Sequence, residues 1–219
     1  MTDQPTPGAR AERDGDTERR ILQAARTVFV RRGTAGARMQ EIAEEAGVNQ
    51  ALLHYYFRSK VGLADAVFRQ AAGRLVPAIV AVLGSDEPID TKVERFVHLY
   101  IDAVRQNPFI PGYIVAELHH HPERFRALAA ELTDDPAAWV EQALLRRLAD
   151  QLDAAAKAGT IRPIPVRHFL VNLVSLCVFP FLARPLLETA LGMDETSFGR
   201  FLDERRAELP GFILGALRP

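Results

Sequence analysis

Residues 38–60 read RMQEIAEEAGVNQALLHYYFRSK, and this stretch decides the fold. Ile42, Ala43 and Ala46 recur at helical spacing, and Gly47 breaks the period where a first short helix needs a left-handed cap. Val48 follows, and Asn49 is a strong N-cap for a second helix spanning residues 50–57. That second helix places Leu53, Tyr56 and Phe57 on one face and leaves Gln50, Ala51, His54 and Tyr55 on the other. Two short helices joined through a glycine turn form a helix–turn–helix, whose second helix can enter the major groove of DNA.

The pairs Ile42-Ala43 and Ser59-Lys60, the triplet Ala46-Gly47-Val48, the run Leu53-His54-Tyr55-Tyr56-Phe57 and Leu63 fall in the register I-A-x-x-A-G-V-S…L-Y-x-Y-F-x-S-K-x-x-L. On these residues the chain resembles the tetracycline-repressor (TetR) family of one-component bacterial regulators, over residues 17–65. Three positions depart from the pattern: Arg38 stands where Ser or Thr commonly caps the first helix, His54 takes the slot of the usual Tyr, and Leu52 replaces a small residue. All three bear on which bases are read. A cation at a helix N-terminus opposes the macrodipole by a few tenths of a kcal/mol, and a DNA phosphate nearby reverses that sign.

Working outward, residues 1–16 (MTDQPTPGARAERDGD) are rich in Pro, Gly and charge and are expected to form a disordered tail, with Asp16 or Thr17 capping the first helix. Ile21, Ala24, Ala25, Val28 and Phe29 make one apolar stripe on that helix, which ends at Arg31-Arg32-Gly33. Net charge is −1, yet residues 17–60 hold eight Lys/Arg against four acids. The positive field therefore concentrates where the motif lies. Ser59 caps a fourth helix that continues toward Leu83 with a kink expected at Pro77, a rod leading out of the head.

Beyond Ser85 the pattern stays helical, with helices expected at 89–106, 109–119, 122–131, 135–158, 165–190 and 195–216. The strand–helix alternation of an α/β enzyme is absent. The expected fold is all-α: a three-helix DNA-binding head over 17–65, joined to a larger helical ligand-binding and dimerisation bundle over 66–219. The single Cys177 excludes an intramolecular disulfide framework and suits a reducing cytoplasm. No apolar signal segment opens the chain, and the apolar run 169–183 is too short to span a bilayer.

His119-His120-His121 beside Glu117 suggests metal chemistry, but consecutive helical residues point about 100° apart and do not converge on one ion. A surface or pocket-rim cluster is expected instead. The residues expected to work on DNA are Arg38, Gln40, Asn49, Gln50, Ala51, His54, Tyr55 and Lys60. Gln50 and Tyr55 suit base edges, whereas Arg38, His54 and Lys60 suit phosphates. Resemblance to the family implies a small-molecule cavity in the body, for which the candidate lining is Phe96, Tyr100, Phe109, Tyr113, Glu117, Trp139 and Asn172; that mostly apolar set fits a hydrophobic organic effector.

The resemblance also implies a homodimer through residues 165–216, with a palindromic DNA operator as partner and neither a cofactor nor a membrane. The whole reads as a transcriptional regulator, expected to repress. Two rivals remain: a DNA-binding adaptor whose body takes a protein, and an all-α enzyme acting through His98, the His119–His121 cluster or His168, for which no nucleophile elbow, phosphate loop or paired carboxylates exist.

Overall fold

A computed structural model describes residues 7–73, 75–105, 108, 110–130 and 141–219. Its first helix, α1 (Pro7–Gly36), starts ten residues before the expected cap, so the second half of the expected disordered tail is helical. Pro7 sits at the helix start, where its missing N–H costs nothing, and the Ala, Arg and Glu residues after it are good helix formers. Asp16 and Thr17 therefore lie inside α1 rather than capping it. Gly33, at φ 68° and ψ 159°, breaks the helix near its end.

Three short elements follow, α2 (Met39–Ala46), α3 (Gln50–Phe57) and α4 (Lys60–Ala72). α1 buries Ile21, Ala24, Ala25, Val28 and Phe29, and α2, α3 and α4 close over that stripe with Ile42, Leu53, Leu63, Val67 and Phe68. This head core does not stop at residue 65: it includes Ala72, and Tyr113 enters it from the body. Along the expected rod, α4 ends at Ala72 with Gly73 after it, and α5 (Leu75–Leu83) carries Pro77.

The body is built from α6 (Ile89–Arg105), α7 (Ile110–His120), α8 (Glu123–Ala130), a π-helical turn at Glu141–Arg146 that runs into α9 (Arg147–Lys157), α10 (Val166–Leu182), α11 (Arg184–Leu191) and α12 (Glu195–Ala216). No strand occurs among the described residues. α6 is the axis of this part. Its stripe of Val93, Phe96, Val97, Tyr100, Ile101 and Val104 is buried, and α5, α10 and α12 pack around it. Two forked pairs, Arg105 with Asp203 and Arg206 with Asp102, fix the register of α6 against α12. The single helix expected at 165–190 is two, bent by 71° around Ala183.

A polar residue holds the far end of the body together. Lys92 of α6 is fully buried. Its Nζ donates to the Leu83 carbonyl at 2.6 Å and to the Gln151 side chain, joining the end of α5 to α9. Burial, with Arg147 adding to it, pushes the Lys92 pKa down.

Two outcomes are expected from this packing. An added Cβ on Gly62 would lie 2.5 Å from the Phe57 carbonyl oxygen, so Gly62→Ala is expected to destabilise the head by about 1–3 kcal/mol, although alanine is the better helix former; an unchanged or raised melting temperature would contradict the contact. For Lys92, the unfolded chain holds the proton more tightly than the folded one does. Stability contributed by this group therefore rises with pH from the lowered folded value up to the ordinary lysine value of about 10.4. Denaturant melts across that window should show the rise in the native protein and a flatter curve in Lys92→Met.

Candidate nucleic-acid interface

The turn between α2 and α3 is closed by backbone geometry. Gly47, at φ 63° and ψ 40°, donates to Glu44 O at 3.1 Å, and Val48 N–H donates to Ala43 O at 3.0 Å, the paired bonds of a Schellman cap. Arg20 reaches across from α1 and donates to the carbonyls of Ala46 (2.9 Å) and Gly47 (3.3 Å). Asn49 then caps α3, its side chain accepting from Ala51 N–H at 2.9 Å.

The exit from α3 is tighter. Ser59 N–H donates to the Phe57 carbonyl at 2.7 Å, a γ-turn that forces Arg58 to φ 62° and ψ −42°. Arg58 is the only non-glycine residue with positive φ among those described. Such a conformation costs on the order of 1–3 kcal/mol. Ser59 Oγ accepts from Gly62 N–H at 3.1 Å, so α4 starts immediately behind the turn.

Only Leu53 of α3 is fully buried; Gln50, Ala51, His54 and Tyr55 face outward, with Tyr55 75% exposed. Tyr55 stands edge-on to Tyr56 at 5.1 Å, and the Tyr56 hydroxyl donates to Asp14 of α1 at 3.2 Å. His54 Nδ1 bonds the Arg58 carbonyl at 3.2 Å. Gln40 is the second residue of α2, its amide held by Glu44 at 3.0 Å.

The cations divide into two sets. Arg31 and Arg32 pair with Glu45 and Glu41 of α2, Arg19 pairs with Asp16, and Arg20 is spent on carbonyls. Lys60, read from the sequence as a phosphate ligand, donates to the carbonyls of Ala35 (2.9 Å) and Ala37 (3.2 Å) and so pins the α1–α2 connection. Arg38, exposed at the N-cap of α2 without a side-chain cap bond, and Arg58, exposed at the end of α3, are unpaired among the described residues. Arg58 directly follows α3, and Arg38 directly precedes α2. Arg58 was absent from the expected set, because nothing in the string F-R-S-K discloses a positive φ.

Of the described residues expected to line an effector cavity, only Tyr113 and Glu117 meet at one cavity. Phe96 and Tyr100 stack on each other at 6.1 Å inside the body core. Tyr113 stacks on Phe29 of the head, and burial pushes its hydroxyl pKa up to about 12. Asn172 is exposed on α10, which corrects its placement in a cavity: a helix apolar on nearly every side gave no sign of which face turns outward. Phe109 and Trp139 lie outside the described residues.

Glu117 instead joins head to body. It accepts from the Thr34 hydroxyl and pairs with Arg124, both partners of that ion pair being buried, and Arg124 Nε donates to Asp65 of α4 at 2.7 Å. Tyr113 and Glu117 also border a cavity of about 460 Å³ between α1, α7, α10 and α11. His119 and His120 are exposed, and no metal-ligand cluster occurs among the described residues.

Residues 21–67 match the bacterial regulatory proteins of the tetR family. The chain is 28% identical over 169 residues to the transcriptional regulator RutR of Escherichia coli K12, covering 75% of this chain and 74% of RutR. It is 27% identical over 200 residues to the transcriptional repressor NicS of Pseudomonas putida, covering 85% and 86% of the two chains. In fold it is similar to HlyIIR, a hemolysin II transcriptional regulator, with a TM-score of 0.56 at 23% identity over 94% of this chain and 99% of that one. With an all-helical body behind an outward-facing helix–turn–helix, the chain belongs to the tetR family of transcriptional regulators and is not an enzyme.

Proposed function

We propose that the protein is a homodimeric repressor that binds a palindromic operator through paired α3 helices and releases it when a small molecule occupies the body. The observation that carries this reading is the division of α3: Leu53 is sealed in the head core while Gln50, Ala51, His54 and Tyr55 form a continuous outward surface. Gln50 and Tyr55 read base edges, since a glutamine amide can pair with adenine in the major groove. Arg38 and Arg58 hold phosphates, and Asn49 and Lys60 act by shaping the helix starts rather than by touching DNA. The head is residues 17–65 extended by the rest of α4, and the regulatory body follows.

An exposed apolar face supports the dimer. Val171, Val174 and Leu182 of α10, Leu186 and Leu191 of α11 and Phe212 of α12 all face outward. Pairing with a second copy buries these side chains and sets two α3 helices at a fixed separation, as successive major grooves require. Repression follows when the operator overlaps a promoter, and NicS, similar along most of the chain, is named a repressor. Release requires that an effector bind better to a body shape that misplaces the heads. The Thr34–Glu117–Arg124–Asp65 chain is the rigid connection that carries a shift of α7 into α1 and α4.

The test uses genomic fragments selected by the purified protein, followed by titration of the best fragment at several salt concentrations. Arg58→Gly removes a phosphate contact and also relieves the positive-φ strain. The variant is expected to keep or raise its melting temperature while the slope of log affinity against log salt falls by about one unit, without a change in preferred sequence. An unchanged slope, or a new base preference, would remove Arg58 from the phosphate contacts.

A further inference from the structure

A second cavity, of about 490 Å³, opens where the head meets the body. Its walls come from α1, α4, α5, α6 and the first residue of α7, and most of what they present is aliphatic: Ala71, Leu75, Ala78, Leu99 and Val104. Two polar side chains interrupt them, the amide of Gln70 and Arg26 of α1, which is half-buried and is the one charged side chain among the described lining residues. Among the described residues Arg26 makes no hydrogen bond and no ion pair. Its own helix offers it no acid, since the positions three and four residues away are Leu22, Gln23, Phe29 and Val30. The lone acid of α4, Asp65, goes to Arg124, and Asp102 of α6 goes to Arg206.

A planar cation part-way out of water, facing an aliphatic wall and lacking an anion, is an incomplete interaction. Guanidinium is matched best by a carboxylate, which takes two parallel N–H···O bonds. The aliphatic wall calls for an apolar body on the same molecule, and the volume is within the range of small-molecule sites. The cavity at Glu117 gives no comparable signal, because the charge there is already neutralised by Arg124.

We infer that the effector is an amphipathic monocarboxylate, its acid group forked onto Arg26 and its apolar tail laid along α5 and α6. The inference rests on the reading of the protein as an effector-controlled regulator and specifies the chemical class of the effector. Because Arg26 lies on the same helix as Arg20, Arg31 and Arg32, which hold α2, the ligand pulls directly on the frame that carries α3.

Calorimetric titration of the intact protein with sodium decanoate, sodium 4-phenylbutyrate and 1-decanol tests this, with operator release followed on the same samples. At least one carboxylate is expected to bind, with 1-decanol weaker by about tenfold or more on the unmodified protein. Arg26→Gln should lose the same factor and Arg26→Lys should recover part of it. Binding of neither carboxylate, equal binding of alcohol and acid, or undiminished binding to a folded Arg26→Gln would each overturn the inference. The regulatory reading fails separately: a carboxylate that binds through Arg26 but leaves the operator complex intact confirms the site and contradicts its role in release.

Discussion

The interface depends on the burial of one side chain, Leu53. An eight-residue helix is too short to be stable alone, so α3 owes its existence and its roll angle to the core beneath it. With Leu53 fully enclosed among Ile42, Leu63 and Phe68, rotation of the helix by even a quarter turn would expose an aliphatic side chain and bury a polar one. The ends reinforce this. Asn49 fixes the entrance, the γ-turn at Arg58 fixes the exit, and Gly62 lets α4 approach close enough to lock the exit in place.

Most of the positive charge in the head serves this architecture. Arg20, Arg31, Arg32 and Lys60 serve helix-end carbonyls and the acids of α2, which leaves Arg38 at the start of α2 and Arg58 at the end of α3 exposed and unpaired among the described residues. A regional charge of this kind steers the protein toward DNA, but a count of lysines and arginines overstates how many touch it. The junction is built from different material. Tyr113 enters the head core, and the buried Glu117–Arg124 pair bridges four helices. A buried pair is weak evidence for stability, but it holds the junction in one geometry.

The features legible in the sequence were those set by local chemistry. Gly47, Asn49 and Ser59 stand where their caps form, and α6, with its regular apolar stripe, lies within a residue of its expected bounds. What escaped were features decided by tertiary context. Lys92 and Arg124 are buried because partners elsewhere in the chain satisfy them, and periodicity does not report such partners. Pro7 and the charged residues after it looked like a disordered tail, although the same string holds good helix formers and continues α1. α10 is apolar nearly all round, so Asn172 could not be assigned a face, nor the bend at Ala183 anticipated.

The most direct test of the outward face of α3 is methylation interference on a bound operator fragment. Guanine N7 projects into the major groove, so methyl groups there should block binding at two clusters about one helical turn apart, related by a two-fold axis, while adenine N3 methylation between them should be tolerated. A single unpaired cluster, or interference confined to the minor groove, would contradict the account.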